Sequence, residues 1–296
     1  MTGPSIIPIV IDTDNALGTP RNSFENILGG DVDDAFAIAF LLCESNLVSS
    51  IYSVSGNVES KICHANNCEL LDLLQSKVSN FEGLSKNNFL KPPVPQNQSE
   101  YLALGPLTNL DYFLKNQFQP SRIWMTLGRI QTLGNYPPLW PVEFNATQDL
   151  PAFQNVISEK VEKIVVPLDI AFQLQFSSTY KTELCKSKVG RFLWKNSRRW
   201  SRRSLVLKGR RSFPVWDLVS AVACRYPSAC HIEKGFGYLF SNGLFLCDLN
   251  DIPKTYHNRK KAIQRVEINI VTAIDVARMW QIFFRSLNEY PTKDPF

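Results

Sequence analysis

The residues of this chain best suited to chemistry begin near its amino terminus, where Asp12 and Asp14 stand two apart and Asp33 and Asp34 stand side by side. An i, i+2 pair on extended backbone points to one side, and a pair opening a helix is favoured as anions by the helix dipole. Four acids gathered at one strand end repel one another unless a cation neutralises them. Carboxylate and carbonyl oxygens suit a hard ion such as Ca²⁺ or Mg²⁺. A lone loop aspartate is ordinarily a turn or helix cap, and Asp31 or Asp33 could be that; the four together fit a metal site better.

The elements that must position these acids follow from patterning. Ile6 to Asp12 is a short apolar run rich in Ile and Val, which predicts a buried strand. Asp33 to Cys43 reads as a helix, Leu47 to Ser55 as a strand, Ser60 to Gln75 as a helix, Tyr101 to Leu104 as a strand and Leu107 to Lys115 as a helix. The alternation continues through Ile123 to Leu127, Ala152 to Ser158 and Lys163 to Leu168. It predicts an α/β fold, a single-domain open, mainly parallel twisted sheet with helices on both faces, spanning residues 1–296. Tyr238 to Cys247 and Arg265 to Val271 read as shorter strands of a small antiparallel appendage. A closing helix buries Ala273, Val276, Ala277, Trp280, Phe283, Phe284 and Leu287. Long loops are expected at 13–30, 84–98, 128–147 and 248–264. Ligands of such sheets sit outside the carboxyl ends of the strands. Polar residues collect there: Ser55-Gly56-Asn57, Leu104-Gly105-Pro106-Leu107-Thr108-Asn109, Gly134-Asn135 and Glu143-Phe144-Asn145.

Composition narrows the class. With 296 residues, 44% of them apolar and 20% charged, the chain is an ordinary globular protein rather than a disordered or fibrous one. Its longest apolar run, Ala35 to Cys43, is nine residues, about half of a bilayer span, and no secretory leader is visible, so a cytoplasmic location is expected. Seven cysteines are then read as thiols, since the Cys63/Cys68 and Cys224/Cys230 spacings are poor zinc signals. Between Lys186 and Arg211 there are eleven Lys or Arg and no acid. The preferred reading is a solvated helix and loop face with Phe192, Leu193, Trp194 and Trp200 turned inward; no nucleic-acid motif accompanies the run.

The ordered motifs, from Asp14 and Asp33-Asp34 through Asn57, Leu104–Asn109, Gly134-Asn135, Glu143–Asn145, Asp149 and Pro167-Leu168-Asp169 to Trp216-Asp217, resemble those of the inosine-uridine-preferring nucleoside hydrolase family. The opening motif of that family has the form D-x-D-P-G-x-D-D. The resemblance implies calcium-dependent hydrolysis of the N-glycosidic bond of ribonucleosides. It implies a Ca²⁺ held by Asp14, Asp34, the Leu104 carbonyl and Asp217, with Asp14 orienting and deprotonating a water. Asp33, Asn57, Asn135, Glu143, Asn145 and Asp217 would bind the sugar, Asn57 also serving the reaction, and Asp12 would lend support from behind. The expected partner is a small ribonucleoside. A homo-oligomer is compatible with the sequence; a membrane or nucleic-acid partner is not expected.

Departures from the family pattern sharpen the reading. Eighteen residues separate Asp14 from Asp33 where the family has three, so fifteen extra residues (18 − 3) stand at the site mouth as a candidate lid. Only 46 residues separate Asn57 from Leu104, which shortens a loop that is longer in better-known members. Trp216 occupies the place of a leaving-group His, similar to the purine-specific branch, where an aromatic ring stacks on the base. Two other readings stay open: a retired hydrolase that only binds nucleoside or calcium, and a haloacid-dehalogenase-type phosphatase in which Asp12 would be a covalent nucleophile.

Overall fold

The computed structural model describes residues 7–20, 30–44, 47–85, 91–130, 142–209, 212–251, 255–256 and 260–290. Its spine is a nine-stranded sheet built from β1 (Ile9–Thr13), β2 (Val48–Ser53), β3 (Ser79–Glu82), β4 (Glu100–Ala103), β5 (Arg122–Thr126), β6 (Lys163–Val166), β7 (Cys230–Leu239), β8 (Phe245–Asp248) and β9 (Gln264–Ile274). The spatial order is β8-β7-β9-β6-β5-β4-β1-β2-β3. Only the pairings made by β7, with β8 and β9, are antiparallel; the others are parallel.

The central strand β1 is apolar at both faces because both are covered. Ile9 and Ile11 join one core layer while Val10 joins the other. The first layer is made by α1 (Asp33–Cys43), together with α9 (Trp216–Arg225) and α10 (Val276–Glu289), named in chain order with the helices below. Every residue of α1 is buried, so its sequence DDAFAIAFLLC lacks an amphipathic period. On the way lie α2 (Ser60–Leu73), α3 (Thr108–Lys115), α4 (Phe144–Gln148), α5 (Leu150–Ser158), α6 (Leu168–Ala171), α7 (Lys181–Leu184) and α8 (Lys188–Lys208). Residues of α3 and α5 line the second layer with Tyr52, Tyr101 and Phe245.

Two expectations about the later strands are corrected. The run Tyr238 to Cys247 is broken into two strands by a turn at Ser241-Asn242-Gly243, where Gly243 takes φ +82° and the Phe240 N–H meets the Leu244 carbonyl at 2.9 Å. Gly243 supplies the left-handed backbone that such a turn needs. The carboxyl-terminal strands are no appendage, since Asn269 and Ile270 pair in parallel with Ile164 and Val165. The polar edge strand β3 was not expected, its SNFE sequence carrying little strand pattern. The basic segment forms the amphipathic α8, with Val189, Leu193 and Ser197 buried and Arg191, Lys195, Arg198, Arg199 and Arg202 exposed. No described helix is long and apolar enough to cross a membrane.

Candidate active site and metal centre

Strand order reverses its growth at β1, which sends its chain to β2 on one side and pairs with β4 on the other. The crevice beyond the carboxyl ends of these strands is where an open α/β sheet accepts ligands. Asp14 follows β1, Leu104 follows β4, and the N-termini of α1 and α9 deliver Asp33, Asp34 and Asp217.

The fifteen-residue excess between Asp14 and Asp33 is pinched off at its base. Gly18 N–H meets the Asp31 carbonyl at 2.7 Å and Gly30 N–H meets the Gly18 carbonyl at 3.1 Å. Gly18 and Gly30 thus stand side by side, and Asp14 and Asp33 stay neighbours of one site. Both glycines are needed: Gly18 takes φ +77°, and a Cβ on Gly30 would stand 1.9 Å from the Thr19 carbonyl oxygen. Most of the segment expected to act as a lid, residues 21–29, lies outside the described residues.

The carboxylates of Asp33, Asp34 and Asp217 all offer an oxygen within 4.8 Å of one another. Each is buried, and burial holds each carboxyl well above the usual carboxylate range, with neighbouring acids adding to the rise. Asp14 lies beside them but outside that compact set. Its Oδ2 accepts the Asn57 backbone N–H at 2.6 Å. Burial pushes Asp14 up to about 8, opposed by that hydrogen bond and reinforced by Asp217 and Asp31. Acids so placed ionise together at neutral pH only if a cation relieves them, and an all-oxygen donor set fits a hard divalent ion.

The other expected residues divide clearly. Asn145 is half-buried, and its side-chain amide donates to the Leu104 carbonyl at 3.2 Å, which brings α4 to the crevice and occupies one lone pair of the expected carbonyl ligand. Glu143 is buried, its Oε2 accepting Gly128 N–H at 2.7 Å, and burial lifts its carboxyl to about 7. Trp216 opens α9, half-buried and packed against the core; its indole N–H has no hydrogen-bond partner among the described residues. Asn135 lies outside the described residues.

Asp12 points away from the acidic cluster. Its oxygens accept Tyr101 Oη–H at 2.7 Å and Asn109 Nδ2–H at 2.8 Å, and burial raises it to about 7. Fully buried with both oxygens engaged, it has no room to attack a substrate, and the phosphatase reading falls with it. Asn109 also donates to the Ser53 carbonyl at 3.2 Å and accepts Leu84 N–H at 2.7 Å, so it joins β1, β2 and the segment after β3. Asp149 caps α5 through Ala152 N–H at 3.2 Å and accepts Thr108 Oγ1–H at 3.0 Å. Asp169 accepts Ile130 N–H at 3.2 Å. These last motif residues hold loops.

Thr13 and Thr126, not singled out by sequence, and Gly56 of the expected Ser55-Gly56-Asn57 run complete the frame. Thr13 donates to Asp34, Thr126 hydrogen-bonds Asp217, and a Cβ on Gly56 would stand 2.1 Å from Asp14 Oδ2. A threonine ending a strand is a common β-former and carries no signal by itself.

Comparison with known proteins gives a family and a shared fold. The family described as inosine-uridine preferring nucleoside hydrolase matches residues 89–281. No curated protein matches by sequence. Among solved structures, a plant nucleoside hydrolase is similar at TM-score 0.74 and 19% identity, covering 96% of this chain and 99% of its own. An inosine-guanosine nucleoside hydrolase is similar at 0.72 and 18%, covering 96% and 99%. A purine-preferring ribonucleoside hydrolase from Gardnerella vaginalis is similar at 0.71 and 16%, covering 96% and 98%. At these identities the structures speak for the fold, while the family match spans well over half of the chain. The chain therefore belongs to the inosine-uridine preferring nucleoside hydrolase family of N-ribosyl hydrolases.

Proposed function

We propose that this chain, residues 1–296 acting as one unit in the cytoplasm, hydrolyses the N-glycosidic bond of ribonucleosides with Ca²⁺ as cofactor and a preference for purines. The observation that carries the reading is the meeting of Asp33, Asp34 and Asp217 within 4.8 Å at the sheet's switch point. Asp14, Asp34, Asp217 and the Leu104 carbonyl would hold the ion, with Asp33 close enough to share it or the ribose hydroxyls. When bound there, Ca²⁺ would polarise a water and anchor sugar hydroxyls.

The protein's own groups do the rest. Asp14, held by Asn57 N–H through one oxygen, has its other oxygen to orient a water and take its proton. Bond cleavage leaves positive charge on the sugar, and a buried anionic site stabilises it. Asp33, Asn57, Asn135, Glu143, Asn145 and Asp217 would hold the hydroxyls, contacts that help distort the ribose. Trp216, with no His beside Asp217, would ease departure of the base by stacking on it as it gains positive charge. The reading is tested by ribose release from inosine, guanosine, adenosine and uridine before and after chelation. Chelator-sensitive turnover led by purines supports it, and binding without turnover assigns the chain to nucleoside binding.

A further inference from the structure

Two acids of the cluster are tethered to strand ends in the same manner. Thr13, the last residue of β1, donates its hydroxyl proton to Oδ1 of Asp34 while its oxygen accepts Asn15 N–H at 3.2 Å. Thr126, the last residue of β5, hydrogen-bonds Asp217, and its Oγ1 lies 2.7 Å from Oγ of Ser220. When a cation keeps Asp217 ionised, that carboxylate can only accept, so the Thr126 proton goes to Asp217 and Ser220 donates to Thr126. All three hydroxyl residues are buried. In both chains a fixed donor behind the threonine leaves its proton one direction to point.

The acids arrive from elsewhere, Asp34 from the first turn of α1 and Asp217 from the first turn of α9. A carboxylate at a helix N-terminus keeps side-chain freedom unless something holds it. Here the hold comes from the sheet, so the gap between Asp34 and Asp217 is set by the spacing of β1 and β5, which flank β4. Partners of this kind behind metal-binding groups commonly change metal affinity by about 10- to 100-fold.

We propose that Thr13 and Thr126, locked as donors by Asn15 N–H and Ser220, are positioning residues that set the metal affinity of the acidic centre. The inference rests on the calcium reading above and adds two residues to which that reading gives no contact with the ion, sugar or base. It gives the two strand ends a role in binding that packing alone would not.

The test is calorimetric titration of Ca²⁺ into chelator-stripped protein. Wild type should bind about one ion per chain. Thr13→Val and Thr126→Val keep side-chain shape and remove the donor; each should weaken binding about 10- to 100-fold. Thr126→Ser, which restores the hydroxyl, should recover most of the affinity. Ser220→Ala leaves Thr126 in place and frees its proton, so it should weaken binding by a smaller factor; it also serves if Thr126→Val fails to fold. Folded Val variants that bind Ca²⁺ as tightly as wild type overturn the positioning role and leave the calcium reading intact. A wild type that binds no Ca²⁺ overturns the calcium reading, and the positioning role with it.

Discussion

The backbone N–H of Asn57 stands 2.6 Å from Oδ2 of Asp14, joining the turn after β2 to the turn after β1. The approach depends on Gly56, whose added Cβ would stand 2.1 Å from that oxygen and 2.9 Å from Pro106 Cδ. Gly56→Ala should therefore push Asp14 aside. Displacements of about 1 Å at a reacting group cost about 100-fold in rate. Steady-state kinetics should show kcat/KM down by about that factor with an unchanged circular dichroism spectrum; wild-type kinetics would free Asp14 from this constraint.

Asp14→Asn keeps the shape of the side chain and its neighbours but removes the proposed base. Loss of a positioned general base lowers kcat by about 10²–10⁴. Nucleoside binding, measured by calorimetry on the same variant, should change much less. Equal kcat in variant and wild type would move proton abstraction to another group.

Asn109 should matter to stability. Its amide serves Asp12 and the Ser53 carbonyl, and its oxygen accepts Leu84 N–H. Asn109→Ala leaves buried polar atoms unpaired, at about 1–3 kcal/mol each. Urea unfolding should show a lower midpoint with the slope unchanged; an unaltered midpoint would mean water replaces the amide.

The acids give stability a pH dependence. Burial raises Asp14 to about 8, and Asp12 and Glu143 to about 7, from ordinary values near 4. Between these limits the folded state binds more protons than the unfolded one, so stability falls as pH rises through about 4 to 8. The Tm of chelated protein should drop steadily from pH 5 to pH 8, and Ca²⁺ should raise Tm more at pH 8 than at pH 6. A chelated protein whose Tm climbs over this range would contradict the burial argument.

Trp216→Ala should lower purine turnover relative to uridine, because a larger ring face gains more from stacking as charge develops, at about 0.5–2 kcal/mol. An unaltered purine-to-uridine ratio would assign Trp216 to packing under the site.

Much of the fold was legible because burial leaves a pattern. Helix α1 occupies the expected residues 33–43, and β1, β2, β4, β5 and β6 fall within two or three residues of their apolar runs. Strand β3 was hidden because SNFE pairs at a half-exposed edge, where little apolar surface is required. The hairpin at Asn242-Gly243 was hidden inside apolar flanks, although the dipeptide itself was a signal.

That Asp33, Asp34 and Asp217 meet was legible because like charges placed together demand an explanation. What holds them was not. The Gly18–Asp31 pairing, the Thr13 and Thr126 hydroxyls, and the Asn109 amide act across sheet crossovers. Their residue types are common in turns and strands, so local spacing carries no trace of their partners.

The most direct measurement of the central claim is ribose release from inosine by purified protein, followed before chelation, after chelation, and after Ca²⁺ is restored. The account predicts turnover that chelation abolishes and Ca²⁺ returns, with Asp217→Ala inactive in all three conditions. Full turnover by chelated protein, or by Asp217→Ala, would contradict it.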